Sequence, residues 1–245
     1  MTFRDDLFVG KVALVIGGTG GIGAAIGDTF AALGAVVTVT GATDDEVNAV
    51  RNGPDFRCRS AVVLDVRDSH SITALIGDLP RLDILVNCAG VIRRDVEHEA
   101  DVFADVVDIN LNGTMRCCSA ARERLKSAHG AIVNTASMLA FHGGARVPAY
   151  SASKGGVAQL TKSLAIAYAS DGIRVNAVAP GWVRTSLTQA LQNDSERSST
   201  ILARTPQGRW AEPADIAGAV VFLCSPAARF VTGVVLPVDG GYLAM

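Results

Sequence analysis

The segment Val12-Ala-Leu-Val-Ile16, followed directly by Gly17-Gly-Thr-Gly-Gly-Ile-Gly23, decides the fold of this chain. An uninterrupted apolar run of this length is typical of a parallel strand that is buried on both faces. The glycines permit a tight turn and let the backbone approach a pyrophosphate closely. The helix predicted over residues 22–33 would direct its unpaired N–H groups and the positive end of its dipole at that anion. Strand, glycine loop and helix in this order favour a dinucleotide site over a purely structural turn.

The same alternation of short aliphatic runs and longer amphipathic stretches continues along the chain. Repeated strand and helix patterns predict βαβ units and one parallel sheet, which is the α/β class. Periodicity alone does not give the order of the strands. Strands are predicted over residues 12–16, 36–40, 60–64, 83–86, 131–135, 174–179 and 234–237, and helices over residues 22–33, 69–79, 100–127, 149–170 and 213–223.

Residues 180–208 interrupt this alternation. The segment follows a predicted strand and contains the polar run Asn193-Asp-Ser-Glu-Arg-Ser-Ser199. Ligands of open α/β sheets bind beyond the carboxyl ends of the strands, and long insertions in compact domains are usually functional. We therefore predict a substrate loop or lid around residues 182–208 of a single domain spanning 1–245; a solvated surface loop is the alternative.

Composition argues against several classes of protein. The chain has 245 residues, with 24 acidic and 22 basic side chains, so no basic excess favours nucleic acid or an anionic membrane surface. No apolar run approaches the roughly 18 residues of a membrane span, and the acidic start lacks the pattern of a signal peptide. Five scattered cysteines give no disulfide framework, and four scattered histidines lack metal-ligand spacing. These features predict a cytoplasmic protein without a metal, nucleic-acid or membrane partner.

Several short motifs resemble those of the short-chain dehydrogenase/reductase family. One departure is Cys88, which stands where the family's N-N-A-G motif has its second asparagine. The resemblance covers nearly the whole chain. It implies a single Rossmann-like, doubly wound domain with a predominantly parallel seven-stranded sheet, helices on both faces, and assembly as a homotetramer. The motifs are glycines 17, 21 and 23, Asn87-Cys-Ala-Gly90, Asn110, Ser137, Tyr150-Ser-Ala-Ser-Lys154, Pro180-Gly181 and Asp239-Gly-Gly241.

Carried over residue by residue, the resemblance implies a catalytic set of Asn110, Ser137, Tyr150 and Lys154. Tyr150 would exchange a proton with the substrate oxygen, Ser137 would polarise the carbonyl, and Asn110 would hold a water behind Lys154. Lys154 lies one helical turn after Tyr150, and a shift of about 3 units from a tyrosine pKa of about 10 requires about 4 kcal/mol from nearby cations. The alternatives are a surface Tyr–Lys pair, a capping serine and an asparagine in a helix distortion.

The resemblance also implies NAD(P) as cofactor and assigns residues to its parts. Asp65 would accept from the adenine amino group, although an aspartate that caps the helix before Ser69 is the alternative. Val66, Asn87, Ala89 and Gly90 would lie along the adenosine. The pyrophosphate and ribose positions are Gly17, Thr19, Gly20, Gly21, Ile22, Gly23, Gly41 and Ala42; the nicotinamide positions are Tyr150, Lys154, Pro180, Gly181, Val183 and Thr185.

The charged residues near the end of the second strand favour NAD over NADP as the cofactor. The usual Asp is missing at its end, but residues 17–23 and 36–50 also lack any Arg or Lys that could hold a 2′-phosphate. Asp44 and Asp45 follow directly and would repel that phosphate.

Four further segments resemble the branch of the family that holds 2-dehydro-3-deoxy-D-gluconate 5-dehydrogenases and gluconate 5-dehydrogenases. This narrower resemblance implies hydride transfer between nicotinamide and a secondary alcohol or ketone of a sugar acid. Such a substrate would contact Ser137, Tyr150 and, through its carboxylate, Arg146; Arg93 and Arg94 are further candidates, and all three could equally be solvated charges. The segments are Ile92-Arg-Arg94, Ala136-Ser-Met-Leu139, Gly143-Gly-Ala-Arg-Val-Pro148 and Gly208-Arg-Trp210.

Two other functions stay open at this point. A 3-oxoacyl-[acyl-carrier-protein] reductase would share every catalytic residue but would favour NADPH and a basic docking patch. A nucleotide-binding sensor or scaffold on the same fold needs no chemistry, since a fold does not fix a function.

Overall fold

The computed structural model describes residues 3–54 and 56–245. Seven strands form one sheet in the order β3-β2-β1-β4-β5-β6-β7, and every neighbouring pair is parallel. The strands are β1 Val12–Ile16, β2 Val36–Gly41, β3 Ser60–Val63, β4 Ile84–Asn87, β5 Ala131–Thr135, β6 Arg174–Pro180 and β7 Val235–Val238. The helices are α1 Gly21–Ala32, α2 Asp44–Arg51, α3 Ser69–Asp78, α4 Ala100–Val107, α5 Gly113–Ala128, α6 Pro148–Ala167, α7 Gln189–Gln192, α8 Ser195–Ala203 and α9 Pro213–Cys224.

Two apolar layers cover the faces of this sheet. On one face, Ile26 and Phe30 of α1 and Val220 of α9 pack against inward-facing residues of β1, β2 and β5. On the other face, Leu125 of α5 and Leu164 of α6 pack against β4 and β5, together with residues of α3. A parallel sheet that is covered on both faces by helices confirms the predicted doubly wound α/β fold.

All seven predicted strands are present, with ends that shift by at most one residue. The helix predicted over residues 100–127 is present as an unbroken helical segment, and a π-helical turn at Asp108–Asn112 lies within it between α4 and α5. Such insertions are frequent at functional sites. The described residues include no helix that combines the length and the apolar character needed to cross a membrane.

Two helical regions were not predicted from the sequence. Helix α2 is short and polar, and it begins because the Thr43 hydroxyl accepts from the Glu46 N–H and caps its first turn. Helices α7 and α8 lie inside the predicted loop 182–208, where Asp194 caps α8. Trp210 packs on Leu191 and Ile201 and forms a small separate core for this segment. The segment is therefore a folded helical structure and not an irregular loop.

Candidate active site

The cleft lies where the strand order reverses between β1 and β4. Chains leave these two strands in opposite lateral directions, so a crevice opens beyond their carboxyl ends. Gly17, directly after β1, has φ +73°, and a Cβ there would lie 2.6 Å from the Ala89 backbone after β4. A Cβ at Gly23 would lie 2.1 Å from the Gly17 carbonyl oxygen. Glycine is required at both positions for the loop to lie this close to its neighbours.

A cavity of about 560 Å³ follows this loop and fits an extended dinucleotide. Helix α1 opens into it with Gly20 as N-cap, and among residues 3–54 and 56–245 no side chain caps that helix. Its first N–H groups are thus free for a pyrophosphate. Thirteen of the predicted cofactor positions line the cavity: Gly17, Thr19, Gly20, Gly21, Ile22, Gly23, Gly41, Ala42, Asp65, Val66, Ala89, Gly90 and Thr185.

A second cavity of about 450 Å³ continues from the first. Ile22, Thr135, Thr185 and Leu187 line both, so the two are joined. The structure brings eight residues of the predicted catalytic, cofactor and substrate sets to the second cavity: Ile22, Ser137, Arg146, Tyr150, Pro180, Gly181, Val183 and Thr185. The described residues therefore provide adjoining spaces for a nucleotide and a small substrate.

Tyr150 lies in the first turn of α6 and lines the second cavity. Desolvation raises the pKa of its phenol above the ordinary value, the Ser137 hydroxyl opposes this by hydrogen bonding, and Glu97 adds to it through its negative charge. The sequence predicts a lowered pKa for Tyr150, and the groups of the protein alone do not produce it. An oxidised nicotinamide ring would add positive charge beside the phenol.

Lys154 is buried one turn further along α6. Its Nζ donates to the Thr135 carbonyl oxygen at 2.7 Å and lies 5.5 Å from the centroid of the Tyr150 ring. Burial lowers the pKa of this ammonium to about 8. The predicted pairing on one helical face is present, and a surface Tyr–Lys pair is excluded by the burial of Lys154.

Asn110 lies in the π-helical turn and is fully buried. Its Oδ1 accepts from the Val91 N–H at 2.8 Å, and its Nδ2 donates to the Val91 carbonyl oxygen and to Ser153 Oγ, both at 3.0 Å. The Asn110 side chain thus links the segment that follows β4 to helix α6. The helix distortion considered from the sequence is present, and the water that the resemblance assigned to Asn110 stays a prediction.

Ser137 has two structural features at once. Its Oγ accepts from the Leu139 N–H at 3.1 Å and caps the short 3₁₀ turn Met138–Ala140. The hydroxyl proton is not used in that bond, and the residue lines the second cavity. Capping fixes the side chain, and its hydroxyl proton is directed to the Tyr150 phenol, where a bound carbonyl oxygen would compete for it.

At the adenosine end, Asp65 forms a bidentate pair with Arg67, with distances of 2.8–3.1 Å. Arg67 also lowers the pKa of this carboxyl. Asp65 does not cap α3, because Asp68 does so by accepting from the His70 and Ser71 N–H groups. The capping alternative for Asp65 is therefore wrong.

The Asn87 side chain is turned away from the cleft. It is buried and donates from Nδ2 to Asn134 Oδ1 at 2.9 Å and to Cys118 Sγ at 3.3 Å. Of the predicted cofactor residues, Asn87 and Lys154 do not line either cavity. Contact between Asn87 and an adenosine would have to use its backbone.

Sequence reasoning missed Glu46, which lines the adenosine part of the first cavity. Its Oε2 accepts from the Ala42 N–H at 2.8 Å and from Thr19 Oγ1 at 3.5 Å. Asp44 and Asp45 are exposed and do not line either cavity. The signal that could have found Glu46 is the pairing of Thr43 with a glutamate three residues later, which is typical of a helix start.

Of the three candidate arginines, Arg94 and Arg146 line the second cavity, and they differ in their partners. Arg146 donates from Nε and Nη2 to the two carboxylate oxygens of Asp95, at 2.5 Å each. Arg94 also lines the second cavity, and among the described residues no ion pair or hydrogen bond engages its side chain. Partial burial and the charge of Arg146 lower the pKa of Arg94, although Asp95 and Glu97 oppose this. Among the described residues, Arg94 has no carboxylate partner, whereas Arg146 has one. Arg204 also lines this cavity, and its guanidinium lies 4.6 Å from the centroid of the Tyr242 ring.

Comparison with known proteins agrees with this geometry. A family model described as enoyl-(acyl carrier protein) reductase matches residues 17–243. A 2-dehydro-3-deoxy-D-gluconate 5-dehydrogenase of Pseudoalteromonas atlantica is 42% identical over 96% of this chain and 96% of that protein. The chain belongs to the short-chain dehydrogenase/reductase family.

Two further relatives bear on cofactor and substrate. The crystal structure of a gluconate 5-dehydrogenase from Burkholderia cenocepacia, in complex with NADP and tartrate, covers 98% of both chains with a TM-score of 0.90 and 31% identity. A 3-oxoacyl-[acyl-carrier-protein] reductase of Vibrio harveyi is 38% identical over 95% of this chain and 97% of its own length. Members of the family with both substrate classes are thus similar to this protein.

Proposed function

We propose that this protein is an NAD(P)-dependent oxidoreductase that interconverts a secondary alcohol and a ketone on a sugar acid. The observation that carries this proposal is the joined pair of cavities, because the nucleotide cleft opens directly onto Ser137 and Tyr150. The similarity to sugar acid dehydrogenases supports the same substrate class.

The side chains have separate roles in this chemistry. When bound, the nicotinamide supplies or takes up the hydride. The Tyr150 hydroxyl gives its proton to the alkoxide oxygen in reduction and accepts it back in oxidation. The Ser137 hydroxyl donates a hydrogen bond to the same oxygen and stabilises its developing charge. Lys154, fixed by the Thr135 carbonyl oxygen, favours the phenolate of Tyr150 by its positive charge.

For the acidic part of the substrate, we assign Arg94. A guanidinium binds a carboxylate through two parallel hydrogen bonds, and this one forms no ion pair with a carboxylate of the described residues, although the charges of Asp95 and Glu97 act on it. Arg146 is already bound by Asp95.

We further infer a preference for NAD over NADP, and we assign it to Glu46. Its carboxylate is within hydrogen-bond reach of the Ala42 N–H, at the adenosine end of the cleft where a ribose 2′-hydroxyl would lie. A 2′-phosphate there would meet a like charge. Three similar structures contain NADP, so kinetics with NADH and NADPH test the preference of this protein.

Assembly and setting belong to the same proposal. We infer a cytoplasmic homotetramer in which helices α7 and α8 close over the bound substrate. Large exposed apolar side chains, including Ile166 and Phe230, support an assembly, and Leu187 at the shared wall of the two cavities supports a lid.

The decisive experiment is a substrate panel assayed with both nicotinamide cofactors. Sugar acids, their keto forms, neutral polyols and acyl thioesters are compared for the wild type and for Tyr150→Phe. We expect the highest kcat/KM with a sugar acid, and a loss of about 10²–10⁴-fold in kcat for Tyr150→Phe with little change in cofactor Kd, because only the proton donor is removed. Highest activity with an acyl thioester would overturn the sugar acid assignment. Nucleotide binding without any turnover would favour a sensor.

A further inference from the structure

Glu97 is a buried carboxylate that the proposed mechanism has not used. It lies in the segment between β4 and α4, and its side chain is 0% exposed. Glutamate is almost never fully buried unless its oxygens are bonded. Within the described part of the chain, no salt bridge links it to a cation, so its partners must be sought in the backbone.

Both oxygens of Glu97 accept backbone hydrogen bonds. Oε1 accepts from the Arg93 N–H at 2.8 Å, and Oε2 accepts from the Tyr150 N–H at 2.8 Å. One side chain thus connects the segment that carries Arg94 with the first turn of α6. The N-cap of α6 is Val147, which has no side-chain oxygen, and Glu97 supplies the missing acceptor from another part of the chain.

Other contacts between these two segments involve exposed side chains or backbone. The Asp95 N–H donates to the Arg146 carbonyl oxygen at 2.9 Å, and His98 Nε2 lies 3.0 Å from the Ala145 carbonyl oxygen. Unlike these contacts, the hydrogen bonds of Glu97 are accepted by a fully buried side chain. Asp95 and Arg146 also form an exposed ion pair between the segments, so Glu97 is the buried one of two charged connections between them.

We propose that Glu97 is a positioning residue that holds Tyr150 in register with the Arg94 segment, and that its charge moves upward the pH range in which Tyr150 exchanges its proton. The inference rests on the proposed hydride-transfer function. The negative charge of Glu97 raises the pKa of Tyr150, in the same direction as desolvation. Other charged or titratable groups are Lys154 on the same helix, and Arg94, Arg146, Arg204, His142 and Tyr242 in the cavity wall.

Glu97→Gln tests the charge with little change in shape. Removing the negative charge favours the phenolate, so the acidic limb of the pH profile for alcohol oxidation should move down by about 0.5–1 pH unit. The amide can accept from only one of the two N–H groups and presents a donor to the other, so kcat should also fall several-fold. Glu99→Gln, an exposed carboxylate without a side-chain bond to its helix, is the matched control and should leave the profile unchanged.

Glu97→Asp separates position from charge. The shorter carboxylate keeps the charge but cannot reach both N–H groups, so kcat should fall while the acidic limb stays where it is in the wild type. If Glu97→Gln does not fold, this variant still tests the proposal. A wild-type kcat for Glu97→Asp, or a limb that stays in place for Glu97→Gln, would overturn it.

A substrate-free measurement keeps this inference separate from the proposed function. Tyr150 is one of three tyrosines, so the phenolate absorbance of a protein minus that of its Tyr150→Phe counterpart isolates its titration. Circular dichroism confirms that the fold persists over the range used. We expect the Tyr150 titration to move to lower pH in Glu97→Gln even if no substrate is turned over. If the wild type is active but the Tyr150 titration is unchanged in Glu97→Gln, the role of Glu97 is rejected and the proposed function stands. If the titration moves but the wild type turns over no substrate, the proposed function is rejected and the role of Glu97 stands.

Discussion

At the scale of single residues, the ion pair between Arg146 and Asp95 leaves Arg94 as the better candidate for binding an acidic substrate. Arg146 precedes Tyr150 by one helical turn, yet Asp95, 51 positions earlier in the chain, binds its guanidinium at both ends. Arg94 lines the same cavity and is not paired by any carboxylate in the described parts of the chain. The substrate carboxylate would have to displace Asp95 from Arg146, but it would displace only water from Arg94.

Arg94→Ala should therefore raise KM for an acidic substrate by roughly 10–100-fold, because a charge-assisted bond contributes about 1.5–3 kcal/mol. KM for a neutral analogue of the same size should change much less. Steady-state kinetics with both substrates measure the difference. Arg93→Ala, whose exposed side chain does not line the cavity, is the control. Equal changes for acidic and neutral substrates would remove Arg94 from the site.

The residues that sequence motifs could predict are those whose neighbours are local or fixed by the fold. Tyr150 and Lys154 share a helical face because they are four positions apart, and Ser137 follows a strand that ends at the cleft. The partners of Arg146 and Glu97 could not be predicted, since each depends on contacts across about 50 positions of chain. The direction of the Tyr150 pKa was also missed, because desolvation has no signature in a motif.

At the scale of elements, helix α2 brings a carboxylate to the adenosine end of the cleft. Its sequence is short and mostly polar, so periodicity gave no indication of a helix there. The first turn presents three acidic residues, and the helical geometry turns only Glu46 towards Ala42 and Thr19, while Asp44 and Asp45 face solvent. Glu46 is exposed like the two aspartates, but it alone of the three lines the cavity, so the like charge that would repel a 2′-phosphate comes from Glu46.

Glu46→Gln should improve kcat/KM for NADPH relative to NADH by about tenfold, because removal of the like charge eliminates its repulsion of a 2′-phosphate. The wild type should prefer NADH. Kinetics with both cofactors at one ionic strength provide the measurement, since salt screens this repulsion. Asp45→Asn removes the same charge at an exposed position and should have a much smaller effect. A wild-type preference for NADPH would contradict both the assignment of Glu46 and the NAD preference.

The long helical segment between β4 and β5 contains an irregularity that the apolar spacing did not predict. Residues 100–127 have the apolar spacing of one helix, but the chain takes an extra residue per turn at Asp108–Asn112. This turn directs Asn110 at Val91 and Ser153, and Thr114 Oγ1 donates to the Asn110 carbonyl oxygen at 2.8 Å. The irregularity is determined by these tertiary bonds and not by local propensity.

At the scale of the whole molecule, the order of the strands makes the site. Alternation of strands and helices predicted one parallel sheet, but only the order β3-β2-β1-β4-β5-β6-β7 locates the reversal between β1 and β4. Loops after these two strands then meet at Gly17 and Ala89. The same order leaves β3 and β7 at the edges of the sheet, where backbone groups are free to pair with another chain.

The tetramer proposed above requires two interaction patches on each copy. We expect a first patch that includes Phe103 of α4 and Met115 of α5, which are each 37% exposed. We expect a second patch that includes Ile166 at the end of α6 and Phe230 before the edge strand β7, which are 81% and 100% exposed. Two different surfaces that each pair around a twofold axis give a tetramer.

Light scattering after size-exclusion chromatography should therefore give about four times the mass of one chain for the wild type. Phe230→Glu should leave dimers held by the first patch, and Phe103→Glu should leave dimers held by the second, because a charge buried against an apolar partner surface is unfavourable. Val9→Glu, at a 67% exposed position outside both patches, is the control and should remain a tetramer. A wild type that elutes as a monomer would contradict the assembly, and two variants that both remain tetramers would show that other surfaces hold the copies together.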